Sequence, residues 1–451
     1  MPIYCLFDVG STFTKGCLVD TDQEVILACA NALTTAESDI AIGIEAVKTK
    51  MKPSIDQVKI DQTLICSSAK GGLKMIAVGL VPDLTLKAAT LACYSAGAKV
   101  IKSYAFELNQ SELSEIQRSE CDILLLCGGT DGGNTEVVKH NAAMIATLPA
   151  NFPIIYAGNK ACVDEVKAMF EKTNFDFEVC DNVMPTYGII QVDSCRERIR
   201  ALFLKTIIKA KGLSELSTLI DDLVLPTPYS VMAALTLLSH GTKTEAGWGD
   251  LMAIDVGGAT TDVYSMNSKF VIKDQAGYKG LREPLDKRSV EGDLGVRYSA
   301  AHVAAHKQED PLYDDAMATY LDQILLNPHG VMDVKLDSIL AGWCTQMASQ
   351  RHAGKLETAY SPMGVSTYQS GKDLTQVKTI IGIGGPLIHA KDPVSILNNA
   401  LWSDKAPEIL LPETLSVYLD RAYVISCLGL LANRHPDVVL RLLKKTLEKR
   451  S

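Results

Sequence analysis

Two stretches of this chain carry the same chemistry at a distance of half its length. Leu6-Phe7-Asp8-Val9-Gly10-Ser11-Thr12-Phe13-Thr14-Lys15 stands near the start, and Ala253-Ile254-Asp255-Val256-Gly257-Gly258-Ala259-Thr260-Thr261-Asp262 near the middle. Each is an apolar strand that ends in Asp-Val-Gly and runs through small and hydroxyl residues into a second apolar strand. Asp8 aligns with Asp255, Gly10 with Gly257, and Thr14 with Thr261. Glycine lets the backbone turn sharply and approach a phosphate. Successive amides in such a turn make an anion-binding concavity. Ser11, Thr12, Thr260 and Thr261 can donate further hydrogen bonds. A carboxylate at the strand end can hold hydrated Mg²⁺, which keeps several waters and takes few protein ligands. Lys15 offers a point charge for a phosphate, or a surface position on its strand. One such turn is weak evidence because many hairpins use it. Two, each leading a half-chain, point to a duplicated phosphate site.

A third element follows. Ile380-Ile381-Gly382-Ile383 is a buried strand that enters Gly384-Gly385-Pro386. Glycines there let the backbone lie flat against a planar ring such as adenine. A helix start beyond them would face a phosphate. No GxxxxGK[ST] pattern occurs, so the chain is not a P-loop protein.

The elements that must position these residues alternate along the chain. Short strands are expected at Ile3–Asp8, Lys15–Asp20 and Glu24–Ala30, a helix over 38–51, and a buried strand at Gln62–Cys66. Parallel α/β grammar follows, with strands at Lys99–Tyr104, Asp122–Cys127, Pro153–Tyr156 and Phe175–Cys180. A long helix spans about 195–211. Leu251–Asp255 opens the second half, Ala300–Arg351 is mostly helical, and an amphipathic helix, Val438–Lys449, ends the chain. The expected division is 1–67 with 185–245 as a first lobe, 68–184 as an inserted α/β subdomain, and 246–451 as a second lobe. A helical insert occupies about 300–351 of that second lobe.

Bulk properties fit a folded chain of several domains. It has 451 residues, 47% hydrophobic and 22% charged, with a net charge of −9. An acidic balance argues against general binding to nucleic acid or to anionic membranes. No apolar run reaches the ~18 residues of a membrane span. The opening residues enter a strand without a charged leader, so a cytoplasmic location is expected. The twelve cysteines are scattered without a CxxC pair and read as reduced core residues. His302 and His306 are four apart on a helix but lack a third metal ligand.

The three motifs, in this order, resemble the actin, sugar-kinase and heat-shock-chaperone ATPase superfamily. Further runs narrow the resemblance. They are Ser67-Ser68-Ala69-Lys70-Gly71-Gly72-Leu73, Ala77-Val78-Gly79-Leu80-Val81-Pro82, Cys127-Gly128-Gly129-Thr130-Asp131-Gly132-Gly133-Asn134, Val290-Glu291-Gly292-Asp293-Leu294-Gly295 and Gly371-Lys372-Asp373-Leu374-Thr375. Together they resemble the glutamate mutase accessory family, called GlmL or MutL and unrelated to the mismatch-repair protein.

The resemblance implies an α/β, two-lobed actin-like ATPase fold made of duplicated ribonuclease-H-like domains, with an inserted parallel α/β subdomain and a helical insert. It implies ATP and Mg²⁺ as cofactors and an adenosylcobalamin-dependent mutase or aminomutase as partner, with no nucleic acid and no membrane. The activity implied is ATP-dependent reactivation: damaged cobalamin is released through nucleotide-driven domain motion. Residue by residue, Asp8, Gly10, Ser11, Thr12 and Lys15 fall on the first phosphate hairpin. Gly257, Gly258, Thr260, Thr261, Asp262 and Asp255 fall on the second. Gly384, Gly385 and Pro386 lie at the nucleoside, and Glu291 and Asp293 at the same cleft. Asp8 and Asp255 are the metal candidates. Where the heat-shock branch opens its hinge helix with a carboxylate, this chain has Thr227. Asp8, Asp255 and Glu291 are then the candidates to position the attacking water. Asp131 is a ligand or partner contact or else a structural turn, and the 68–184 insert is expected to dock the client. A small-molecule kinase of the same superfamily and an actin-like scaffold remain as alternatives.

Overall fold

The computed structural model describes residues 2–10, 13–34, 40–68, 73–149, 151–210, 224–328, 330, 332–361 and 364–450. Ser11 and Thr12, and Ala69 to Gly72 of the Ser67–Leu73 motif, lie outside the described residues, as does residue 211 at the end of the expected long helix. The chain divides into two compact units. The first is Met1–Ala234 with Gly280–Arg282 and Ile425–Leu442. The second is Leu235–Lys279, Glu283–Val424 and Leu443–Ser451. The segment Ile425–Leu442 thus packs with the first unit, whereas the sequence division placed it within 246–451.

The first unit holds two sheets. Strands β1 (Ile3–Val9), β2 (Phe13–Asp20), β3 (Val25–Leu33), β4 (Gln62–Ser67), β5 (Leu73–Gly79), β6 (Ala98–Ala105), β7 (Ile123–Leu126), β8 (Ile154–Tyr156), β9 (Phe177–Val179) and β10 (Leu225–Pro226) follow in chain order. One sheet runs β10-β4-β1-β2-β3. β1 pairs antiparallel with β2 and parallel with β4. The central strand β1 is apolar on both faces, with Cys5, Leu6, Phe7 and Val9 all buried, as a sheet covered on both sides requires. Helix Ile40–Ile55 lies close over β2 because Gly16 has no side chain. A Cβ there would stand 2.6 Å from Val47 Cγ1.

The second sheet of this unit is all parallel, in the order β6-β5-β7-β8-β9. That is the doubly wound 2-1-3-4-5 order. Its crossover helices include Lys87–Ser95, Gln110–Arg118, Glu136–Ile145 and Val163–Phe170. The second strand from one edge, β5, sits at the switch of winding direction although no strand is expected there from sequence. Its apolar run, Met75 to Val78, is too short to separate from a buried helix segment by periodicity.

The second unit adds β11 (Leu251–Val256), β12 (Thr261–Met266), β13 (Ala276–Tyr278), β14 (Asp286–Glu291), β15 (Lys355–Ser361), β16 (Gly364–Ser370), β17 (Thr379–Ile383), β18 (Ser416–Leu419) and β19 (Glu448–Lys449). Its main sheet runs β14-β12-β11-β17-β18-β19. Read outward from the strand that carries the aspartate, this repeats the first unit's sheet. A first strand pairs antiparallel with a second and parallel with a fourth, the third lies beyond the second, and the fifth beyond the fourth. The chain therefore has the duplicated ribonuclease-H-like architecture of an actin-like ATPase, carrying a parallel α/β insert. Helices Ala300–Ala305, Asp315–Leu326 and Val334–His352 make up the helical stretch of the second unit. A further sheet, β13-β16-β15, had no counterpart in the sequence reading. The terminal helix is Pro436–Thr446. The residues after it form β19 and pair with β18, where the sequence suggested continued helix.

Behind β12 and β14 the second unit buries a polar network. Lys372, 3% exposed, donates to Ser265 Oγ at 2.8 Å, to Ser265 O at 3.1 Å, and to Leu285 O. His352 bonds Ser265 Oγ at 2.8 Å and Ser289 Oγ at 2.7 Å. Lys287 donates to Glu283 and to His352 O, each at 2.7 Å. Burial, with repulsion from Lys287, pushes the Lys372 ammonium down to about 7. Burial likewise holds His352 below the usual imidazole range. For both groups the unfolded chain binds the proton more tightly, so stability rises with pH through the window between folded and unfolded values. We expect unfolding free energy to climb from about pH 7 toward the ordinary lysine range near 10, at up to ~1.4 kcal/mol per pH unit. Denaturant titrations across that window check this; in Lys372→Met the slope between pH 7 and 10 should disappear.

Candidate functional site

The two Asp-Val-Gly turns are closed by the same backbone hydrogen bond. In the first, the Gly10 amide donates to Phe13 O at 3.0 Å, and in the second the Gly257 amide donates to Thr260 O at 2.9 Å. The flanking registers agree as well: Val9 faces Thr14, and Val256 faces Thr261. The alignment made on residue types thus shares its closing bond and its strand register.

The second turn is described at every residue, and its carbonyls are all held from one side. Val296 N donates to Gly257 O at 3.1 Å, and Arg297 N and Tyr298 N to Gly258 O at 2.8 and 2.9 Å. Ser299 Oγ donates to Ala259 O at 2.8 Å. In a planar trans peptide the carbonyl of one residue and the amide of the next point opposite ways. The amides of Gly258, Ala259 and Thr260 are therefore turned together, away from the 296–299 segment, as a phosphate-binding concavity requires. Gly295 permits this clamp, since a Cβ there would lie 2.5 Å from the Ala259 carbonyl carbon.

The side chains on the two hairpins differ. Asp8 is 1% exposed. Its Oδ1 accepts from Thr227 Oγ1 at 2.6 Å and lies 3.6 Å from Cys66 Sγ, while Oδ2 accepts from Ser426 Oγ at 2.8 Å and from Lys15 Nζ at 3.3 Å. Lys15 stands directly across the hairpin from Asp8. At the same register in the second unit, Asp255 faces Asp262. Two carboxylates on one face repel, and Arg288 from β14 offsets this by holding Asp262 Oδ1 at 2.8 Å. Asp255 is half-buried.

Gly384 is brought beside this carboxylate because Ile383 pairs with Asp255 across β17 and β11. With φ at 93°, Gly384 adopts a conformation open mainly to glycine. A Cβ there would stand 2.6 Å from Asp255 Oδ1 and 2.4 Å from Val256 O. Gly385 and Pro386 open the short helix Gly385–Ile388. Beside Gly385, Tyr423 Oη and His389 Nε2 are hydrogen-bonded at 3.0 Å, a pair that the sequence reading did not single out. Tyr423 has φ of 55°, unusual for a bulky residue.

Several expected site residues have other work. The Thr261 hydroxyl is buried and donates to Leu294 O at 2.8 Å, so it braces the turn from within and does not face a phosphate. Asp262 is committed to Arg288. Glu291 and Asp293 share Arg351 of helix Val334–His352, with contacts of 2.8 Å from its Nη1 to each. Burial raises the Glu291 carboxyl despite that arginine, whereas Asp293 is held below the usual range, burial there being outweighed by Arg351. Asp131 turns inward: its Oδ1 accepts from Asn182 Nδ2 and from the Lys160 amide, both at 3.0 Å. That makes it a structural turn residue. Among the described residues the structure gathers Asp8, Gly10 and Lys15 in the first unit. It gathers Asp255, Gly257, Gly258, Thr260, Gly384 and Gly385 in the second.

These residues suit a nucleotide phosphate and a hydrated cation: amides turned to one side, carboxylates at strand ends, and glycines where a side chain would intrude. The packing sets the cost of three substitutions. Asp8→Ala strips a buried acceptor from Thr227, Ser426 and Lys15 and should cost about 2–4 kcal/mol of unfolding free energy. Asp255→Ala should cost under half as much. Gly384→Ala, strained in φ and overlapping Val256 O, should cost about 2 kcal/mol or more. Denaturant melts of the three variants check all three values.

Comparison with known proteins agrees with the sequence motifs. Protein MutL of Clostridium tetanomorphum is 43% identical over 461 residues, covering 100% of both chains. Among solved structures, Plasmodium falciparum glycerol kinase with ADP is 10% identical, with a TM-score of 0.37, over 100% of this chain and 93% of that one. A glycerol dehydratase reactivase is 10% identical, with a TM-score of 0.32, over 96% of this chain and 99% of that one. The family model described as MutL protein matches residues 4–447. The chain, with its paired Asp-Val-Gly turns, belongs to the MutL family of glutamate mutase accessory proteins.

Proposed function

We propose that this protein is an ATP-dependent reactivating chaperone for an adenosylcobalamin-dependent mutase or aminomutase of the glutamate mutase type. The observation that carries the nucleotide part is the identical closing bond of the two turns, Gly10 N to Phe13 O and Gly257 N to Thr260 O. Membership of the accessory family supports the client. In this reading the amides of Gly258, Ala259 and Thr260 take phosphate oxygens, and Gly384, Gly385 and Pro386 lie against the nucleoside. Lys15 supplies a positive charge at the first turn. Asp8 and Asp255 hold water of a hydrated Mg²⁺, which would neutralise charge on the phosphates when bound. Ser11 and Thr12 complete the first turn.

Asp8 already accepts from Thr227, Ser426 and Lys15, so its role is to hold water about the metal and not to take a proton. Asp255 is the better group to orient an attacking water. Glu291 comes second: its carboxyl is raised by burial, but Arg351 occupies one oxygen. Loss of the γ-phosphate would remove the contacts it makes with the turns, the usual way in which hydrolysis releases a domain. No helix among the described residues is long and apolar enough to cross a membrane, and a cytoplasmic site of action goes with this reading.

Calorimetric titration with ATP and Mg²⁺ should give binding that weakens at least tenfold in Asp255→Asn, with far-UV circular dichroism unchanged. Unaltered affinity in that variant would remove Asp255 from the site. Reactivation is tested by inactivating glutamate mutase and the ornithine and lysine aminomutases in turn. This protein, ATP-Mg²⁺ and fresh adenosylcobalamin are then added. One enzyme should recover activity. Phosphorylation of an added metabolite with no enzyme recovering would favour a kinase instead.

A further inference from the structure

Two thiols of the first unit meet across β2 and β3, and a third stands beside a group that holds Asp8. Cys17 on β2 and Cys29 on β3 are directly opposite each other in the strand register. Their sulfurs are 2.9 Å apart. Cys29 is exposed and Cys17 buried. The buried Cys427, whose thiol lies 4.0 Å from Leu6 O on β1, sits in the segment Ile425–Gly429 that packs on β1 and β2. Cys427 follows Ser426, whose hydroxyl donates to Asp8 Oδ2 at 2.8 Å and whose carbonyl accepts from Ser230 Oγ at 2.6 Å. The third thiol is thus one residue from a group that fixes the aspartate.

We infer that Cys29 and Cys17 are a reversible oxidative modification site, closing to a cross-strand disulfide when the protein meets a peroxide. Directly opposed strand positions bring their Cβ atoms close to the separation that a disulfide needs. Exposure makes Cys29 the attacking sulfur, because a buried thiol is inert until a partner is activated. Burial and its thiol neighbours keep Cys17 protonated, since its ionisation is pushed well above the ordinary thiol range. The Cys29 thiol gives its proton to solvent, the thiolate attacks a peroxide oxygen, the O–O bond breaks, and a sulfenic acid forms while the departing hydroxide takes back a proton as one water. Cys17 then attacks that sulfur, the S–O bond breaks, and the Cys17 proton leaves with the hydroxide as a second water. Two thiols are oxidised by two electrons, and one peroxide is reduced to two waters. A dithiol reductant reverses the step.

Closure also draws the Cys17 sulfur toward β3. The segment Ile425–Gly429, which packs on β1 and β2, then loses packing against β2, and with it the fixed position of Ser426 on Asp8. Oxidation at the surface is thereby felt at the first turn. This consequence concerns backbone order and does not rest on the nucleotide reading.

The test exposes the full-length protein to hydrogen peroxide and then quantifies thiols and maps peptides by mass spectrometry without reduction. Two thiols per chain should be lost, a Cys17–Cys29-linked peptide should appear, and dithiothreitol should restore both. Cys29→Ser, a surface change that spares folding, should lower the rate of thiol loss at least tenfold. Hydrogen exchange over residues 425–429 should speed several-fold in the oxidised wild type and not in peroxide-treated Cys29→Ser. A sulfinate on Cys29 with Cys17 untouched, or a disulfide between other cysteines in place of Cys17–Cys29, overturns the proposal. Unchanged exchange over 425–429 in the linked protein overturns the coupling to Asp8.

Discussion

A single backbone hydrogen bond, from the glycine amide after Asp-Val to the carbonyl three residues on, closes each hairpin and brings its carboxylate to the start of the turn. Without it the small residues between the strands would have no reason to present their amides together. In the second unit the bond is reinforced by the 296–299 segment, which captures the carbonyls of Gly257, Gly258 and Ala259 in succession. Peptide planarity then sends the next amides the other way. The anion-binding character of the turn is thus a result of what its carbonyls are bound to. It does not depend on a positively charged side chain at the turn itself.

The two hairpins share this closing bond but not the charges around it. Across from Asp8 stands Lys15, whereas across from Asp255 stands Asp262, neutralised from behind by Arg288. The first carboxylate is buried and braced by hydroxyls from two distant parts of its unit, Thr227 and Ser426. The second is half-buried and bordered by a glycine that leaves room for it. A duplicated fold has in this way acquired one rigid carboxylate and one that is more open to water. The side chains around them follow suit. Thr261 is spent inside the turn, and Glu291 and Asp293 are bound to Arg351.

The doubly wound insert belongs to the first unit by its packing and follows a different strand order from the sheets that carry the turns. Its Gly-rich loop after β7 is organised from below. Asn159 and Asn182, both buried, bond to its carbonyls and to Asp131. The loop's shape is thereby set by side chains contributed from the segments after β8 and β9, far along the chain from the glycines themselves.

What the sequence determined alone was the duplication, its two turns, and the strands that lead to them. Asp-Val-Gly after an apolar run states a local conformation, because glycine and small residues act through the backbone over a few positions. β5, β13, β15 and β16 escaped the same reading, being short or half-exposed and without a period to mark them. Tertiary structure decided which polar side chains remain available at the turns. Nothing near Thr261 in sequence shows that Leu294 takes its hydroxyl. Nothing near Asp262 or Glu291 reveals Arg288 and Arg351 as their partners. Nothing near Asp8 foretells Ser426, 418 residues away. Charge pairing and burial are settled by residues that meet only when the sheets and helices pack, and so they cannot be read from spacing.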